Sequence, residues 1–188
     1  MKSKEFADML RGGDLRALHG AADLAGQIRS QRDFDALFTL LFHHDRAIVM
    51  RAADAVEKIS RHSPEFLAPH CGQILELMMD HANIELKWHL AQIAPRLELS
   101  VEWQRKVWAR LRYWLLNRNE SKIVRVNALQ GMFDLMRKYQ SHSRNDEFRN
   151  VVASVSREHI PSIDARVRKL RRMVAEARTR QKEDPVQR

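Results

Sequence analysis

Five apolar positions recur three times at a spacing of 38 residues, and this repeat limits the folds open to the chain. The first set is Ile48, Ala52, Ala55, Val56 and Ile59. The second is Leu86, Leu90, Ile93, Ala94 and Leu97, and the third is Val124, Ala128, Gly131, Met132 and Leu135. Offsets of 0, 4, 7, 8 and 11 fall on one face of an α-helix. A period of this length marks a stacked helical array, in which each unit buries its apolar face only against its neighbours.

Each set follows a residue suited to cap a helix N-terminus: Asp45, Asn83 and Ser121. Such side chains accept hydrogen bonds from the free N–H groups of the first turn. Upstream of each cap lies a second apolar helix, marked by Leu37, Leu40 and Leu41, by Leu75, Met78 and Met79, and by Leu111, Trp114 and Leu115. Each unit is therefore a helix A, a turn and a helix B. The clear repeats span about 33–62, 64–99 and 100–139. Degenerate copies at 3–30 and 146–178 act as caps, and 179–188 reads as a frayed tail. Gly12 and Gly13 suit the break before a B helix over 14–29, which Asp14 opens and Ala17, Ala21, Leu24, Ala25 and Ile28 pattern. In the last B helix, after Pro161, Arg171 occupies an apolar position, as expected where no further repeat follows. Pro69 bends or restarts a helix, and the polar stretch 139–146 reads as a loop. The fold class is all-α, a single domain over 1–178.

These paired helices resemble HEAT repeats. Asp45-Arg46-Ala47-Ile48-Val49-Met50-Arg51-Ala52-Ala53-Asp54-Ala55-Val56 carries the turn aspartate, an arginine and the alanine-rich start of the second helix. The third unit keeps Val124-Arg125 and Ala128 but has Ser121 for the aspartate, and the second has Asn83 and Leu86-Lys87. The resemblance covers roughly residues 14–177. It implies a right-handed α–α superhelix of about five helix pairs. It also implies a non-enzymatic interaction module that holds a macromolecule, first of all a protein, on a concave face lined by B helices.

Composition bounds the remaining classes. No segment approaches the roughly 18 apolar residues of a membrane span, and the opening residues lack the apolar run of a signal peptide. Cys71 is the only cysteine, which points to a reducing, cytoplasmic setting. The net charge of +9 is unevenly placed: residues 1–100 carry 12 basic and 14 acidic side chains, and residues 101–188 carry 21 and 10. That asymmetry makes DNA or RNA binding through residues 101–182 the alternative reading.

Candidate binding residues are those that the apolar pattern leaves free on the B helices. Arg51, His89, Asn127 and Arg166 form one row, and Asp54, Gln92, Gln130 and Lys169 form another, with Arg125 and Arg172 beside them. A competing reading makes these rows hydrogen-bond ladders between repeats. In the stretch from Glu102 to Trp114, Trp103 and Trp114 phase with the core, whereas Trp108 sits at its edge as an exposed stacking candidate, as does Trp88. The nine histidines show no metal-ligand spacing, and nothing calls for a cofactor. Compact HEAT-like solenoids include alkylpurine DNA glycosylases, and Asp134, Arg125, Trp88 and Trp108 supply the residue types that such an enzyme needs without matching a motif.

Overall fold

The computed structural model describes residues 2–11, 20–80, 84–140 and 142–183, the side chains of 80, 142–143 and 177–183 excepted. Among them every regular element is helical: α1 (Lys2–Leu10), α2 (Ala21–Gln27), α3 (Gln31–Phe38), α4 (Arg46–Ile59), α5 (Cys71–Asp80), α6 (Ile84–Ile93), α7 (Val101–Leu116), α8 (Lys122–Tyr139), α9 (His142–Ser156) and α10 (Pro161–Glu183). Three 3₁₀ turns, Thr39–Phe42, Pro64–His70 and Ala94–Arg96, link or extend them. No described helix is long and apolar enough to cross a membrane. The expected cap Asn83, the opening of the 14–29 helix at Asp14 and Ala17, the Gly12–Gly13 break and residues 184–188 of the tail lie outside the described residues.

All fifteen repeat positions named above are buried. Alanine or glycine at Ala52, Ala55, Ala128 and Gly131 lets neighbouring helices approach closely, while the larger partners fill the space between them. Asp45 caps α4 by accepting from the Ala47 N–H at 2.8 Å, and Ser121 caps α8 by accepting from Val124 at 3.3 Å.

The chain divides into two compact units, Met1–Val107 and Trp108–Arg188, and α7 runs through the division. In the first unit α4 packs against α2 and α6 and also meets α1 and α3. Gly20 opens α2 in the left-handed region, at φ 75°. A Cβ there would stand 2.5 Å from the Met9 carbonyl oxygen, so only glycine fits this approach. In the second unit α8 packs against α9 and α10, whose apolar sides meet through Val151, Val155, Ile163, Val167 and Leu170.

Local structure departs from the sequence expectations in four places. Residues 179–183, expected as part of a frayed tail, continue α10 as helix. α6 stops at Ile93 because Pro95 removes a backbone donor and disfavours helix at Ala94; the chain tightens into a 3₁₀ turn, yet Ala94 and Leu97 stay buried. The stretch expected as a loop over 139–146 is mostly helix. Gln140 turns the chain in the left-handed region at φ 43° and its N–H closes α8 on the Met136 carbonyl, so α9 begins at His142. Finally, the buried stripe of α7 includes Trp108, which is only 5% exposed, whereas Trp103 is half-buried beneath the Lys106 ammonium at 4.4 Å. Trp108, Leu111 and Leu115 share the helix face that widens the stripe.

Candidate partner-binding surface

The B-helix residues predicted to face a ligand divide into a buried set and an exposed one. Arg51 is fully buried on α4 and donates from Nη1 to the Leu10 carbonyl at 2.6 Å, closing the C-terminal end of α1. Arg125, 2% exposed on α8, donates from Nε to the Leu115 carbonyl at 2.7 Å, and from both terminal nitrogens to Glu158 at 2.9 Å. Arg96 repeats the arrangement at the end of α4, donating to the Glu57 carbonyl and to Ser60 Oγ, both at 2.6 Å, and also to the Glu57 carboxylate. In all three cases a guanidinium meets the negative end of a helix, where its charge and donors satisfy carbonyls that lack an intrahelical partner. Arg51 and Arg125 are therefore braces, and the interior position that makes them so withdraws them from any partner.

Two carboxylates take their properties from these braces. Hydrogen bonds from Arg125 hold the Glu158 carboxyl below its ordinary range against the opposing effect of burial. Burial pushes the Glu57 carboxyl up, but hydrogen bonds from Arg61 and Arg96 outweigh it and leave the group below its usual value. A further link between repeats lies nearer the surface, where Arg46 of α4 grips both oxygens of Glu85 on α6 at 2.6–3.1 Å.

His89 sits in the same row as Arg51 but is held differently. It is fully buried on α6, and among the described residues neither ring nitrogen has a hydrogen-bond partner. Burial pushes its pKa down to about 3; nearby Glu57 acts upward, and Lys58 and Arg61 act downward. The Trp88 ring lies 3.5 Å from the imidazole, centre to centre, and Trp88 itself is half-buried. Asn127 turns back onto its own helix, donating to the Ile123 carbonyl at 2.9 Å.

The second row is partly a ladder. Gln130 donates to Asp134 at 2.8 Å and accepts from Arg166 of α10 at 2.8 Å. Beyond that link α10 opens to water: Lys169 and Arg172 are exposed, as are Arg168 and Arg171. The sequence pattern places those four cations on the last B helix but does not separate them from the buried arginines of earlier ones. Trp108, expected to be exposed, donates its indole N–H to Glu147 at 2.8 Å, beneath the Arg144 guanidinium. With Trp108 buried and Arg125 engaged by Glu158, neither presents itself to a nucleic acid. Among the described residues no three His, Cys, Asp or Glu side chains gather as metal ligands would.

Sequence reasoning missed a cleft of about 430 Å³ in the second unit. Phe133 and Met136 of α8 form its floor, Phe148, Val152 and Ala153 of α9 one wall, and Val167, Leu170 and Val174 of α10 the other. Arg149 and Arg171 stand at its rim. The signal was present in Val152 and Val174, apolar residues that the packing of α9 and α10 leaves half-buried. Comparison of the chain with protein-family models, curated proteins and solved structures returned no match.

Proposed function

We propose that the chain is a non-enzymatic, HEAT-like interaction module of the cytoplasm, a right-handed α–α superhelix of about five helix pairs that holds a protein partner on its B-helix face. The observation that carries this reading is the division of labour among its cations. Those deep on the B helices, Arg51 and Arg125, are spent on helix ends and on Glu158. On α10, Arg168, Lys169, Arg171 and Arg172 are exposed beside an apolar cleft. A helix that served only as a solvated cap would need no apolar cleft beside it. The half-buried Arg166 and the exposed Lys169 and Arg172 bring part of the predicted B-helix surface within reach of a partner.

The test is affinity purification after nuclease treatment. The reading expects a protein that is retained by the native chain and lost on Lys169→Glu/Arg172→Glu. Binding of DNA or RNA is the second reading, favoured by the run of exposed cations Arg168, Lys169, Arg171 and Arg172. It predicts that labelled duplex or single-stranded DNA binds at low salt and is released steeply as salt rises. A chain that retains no protein is not the proposed module, and one that also ignores DNA and RNA at low salt fails both readings.

A further inference from the structure

We infer that the cleft between α9 and α10 is a docking groove for an acidic amphipathic helix of a partner protein. The inference rests on the reading of the chain as an interaction module and names the chemistry of what it holds.

Shape gives the first argument. The α9 wall runs from Asn145 to Ala153 and the α10 wall from Val167 to Val174, about two helical turns each, or roughly 12 Å along the groove. Two helices with a third as floor leave a channel in which another helix can bed ridge into groove. The packing of α9 and α10 leaves Val152 and Val174 only half-buried in the cleft, so a further helix has apolar surface to cover.

The second argument is charge. Three other junctions between helices in the protein pair a carboxylate on one side with a guanidinium on the other. Arg46 meets Glu85, Arg96 meets Glu57, and Arg125 meets Glu158. At the cleft only the cationic half of this arrangement lines the groove, as Arg149 and Arg171. Both are exposed, and Arg149 keeps only a surface contact to Asp146 at 3.1 Å across one turn of its own helix. The exposed Arg168 continues the positive charge along α10, while Arg172 beside it meets Glu176 at 3.6 Å across one turn of the helix. An occupant that presents Leu-like side chains at i, i+3, i+4 and i+7 fills the apolar floor. Glutamates flanking that face complete the pairs at Arg149 and Arg171. A basic or neutral helix would leave those pairs unmade.

The probe is a stapled synthetic helix with leucines at i, i+3, i+4 and i+7 and glutamates beside them, labelled for fluorescence anisotropy. Its controls are the same helix with lysines for the glutamates, and a peptide of identical composition without an apolar face. The inference expects saturable binding of the acidic helix, on the order of tenfold tighter than either control. Arg149→Glu/Arg171→Glu should reverse the preference toward the lysine helix. Ala153→Trp, which fills the groove from an exposed position, should weaken the acidic helix about tenfold. Lys122→Glu, an exposed cation outside the lining, should leave binding unchanged. Each variant is first shown to keep the thermal unfolding midpoint of the native chain.

Equal affinity for the patterned and unpatterned acidic peptides would overturn the inference, since charge alone would then account for binding. So would a charge reversal without effect. A dimer in sedimentation that Ala153→Trp dissolves would overturn it too, by making a second copy the occupant. Loss of helix selectivity while the affinity-purified partner is retained would remove this inference and leave the module reading standing.

Discussion

His89 offers a decisive measurement of how dry the interior of the first unit is. Its folded pKa of about 3 lies well below the ordinary 6.5, so the native state holds the ring neutral while the unfolded chain takes up a proton as pH falls. The sign follows directly. Stability is complete above the unfolded value, declines as pH drops below 6.5, and goes on declining to the folded value near 3. Linkage over that interval gives a loss of about 2 kcal/mol between roughly pH 7.5 and pH 5, a large share of a typical domain's stability. Leucine is close to histidine in volume and has no nitrogen to desolvate. His89→Leu should therefore be more stable than the native chain by about 1 kcal/mol near neutrality, because two unpartnered buried nitrogens are removed. The gap should widen to about 3 kcal/mol near pH 5. Urea titrations followed by far-ultraviolet circular dichroism at several pH values measure both terms. The other histidines and the carboxylates titrate in both proteins and cancel in the difference. A gap that stays constant from neutrality to about pH 5 would refute the reasoning, since it would mean that native His89 protonates freely. A large destabilisation at neutral pH would refute the claim that the ring has no partner.

Three further outcomes follow from the braces and the tight turn. Arg125→Met should cost about 3 kcal/mol by urea titration, because Glu158 and the Leu115 carbonyl both lose a buried donor, and adding Glu158→Leu should recover at least part of that loss. Additive costs would show that the pair is not coupled. Gly20→Ala should destabilise by about 2 kcal/mol or more, from the left-handed backbone and the clash with the Met9 carbonyl, and an unchanged unfolding midpoint would contradict that geometry. Trp108→Phe should cost about 1 kcal/mol, because the indole donor is lost while the partly exposed Glu147 keeps Arg112, with a native-like dichroism spectrum; a loss above about 3 kcal/mol would contradict that account.

Periodicity was a good guide to what is buried and a poor one to where buried cations point. Ile48, Leu90 and Met132 were readable because an apolar residue on a helical stripe has one common fate, and the caps at Asp45 and Ser121 because they act on their own first turn. Arg51 and Lys169 occupy the same kind of position in the pattern, yet one braces α1 and the other meets water. The difference lies in a partner 41 residues upstream of Arg51, which no local rule supplies. Trp108 was misplaced for a related reason: the width of a buried stripe depends on the neighbour that covers it, and Glu147 comes from another helix. The cleft went unread because it is made of side chains from three helices, α8, α9 and α10, each unremarkable alone.

The bonds that tie one helix pair to the next have a consequence for how the chain is assembled. Arg51 reaches Leu10, Arg96 reaches Glu57, Arg46 reaches Glu85, Trp108 reaches Glu147, Arg125 reaches Glu158 and Arg166 reaches Gln130, across separations of 33 to 41 residues. Each link is about one repeat long. Within each unit, order can therefore start at one helix pair and spread to its neighbour, which meets a guanidinium, indole or carboxylate already held in place. The same spacing gives mutation a short range: losing one brace loosens the two pairs that it joins, and more distant pairs feel it only through those neighbours.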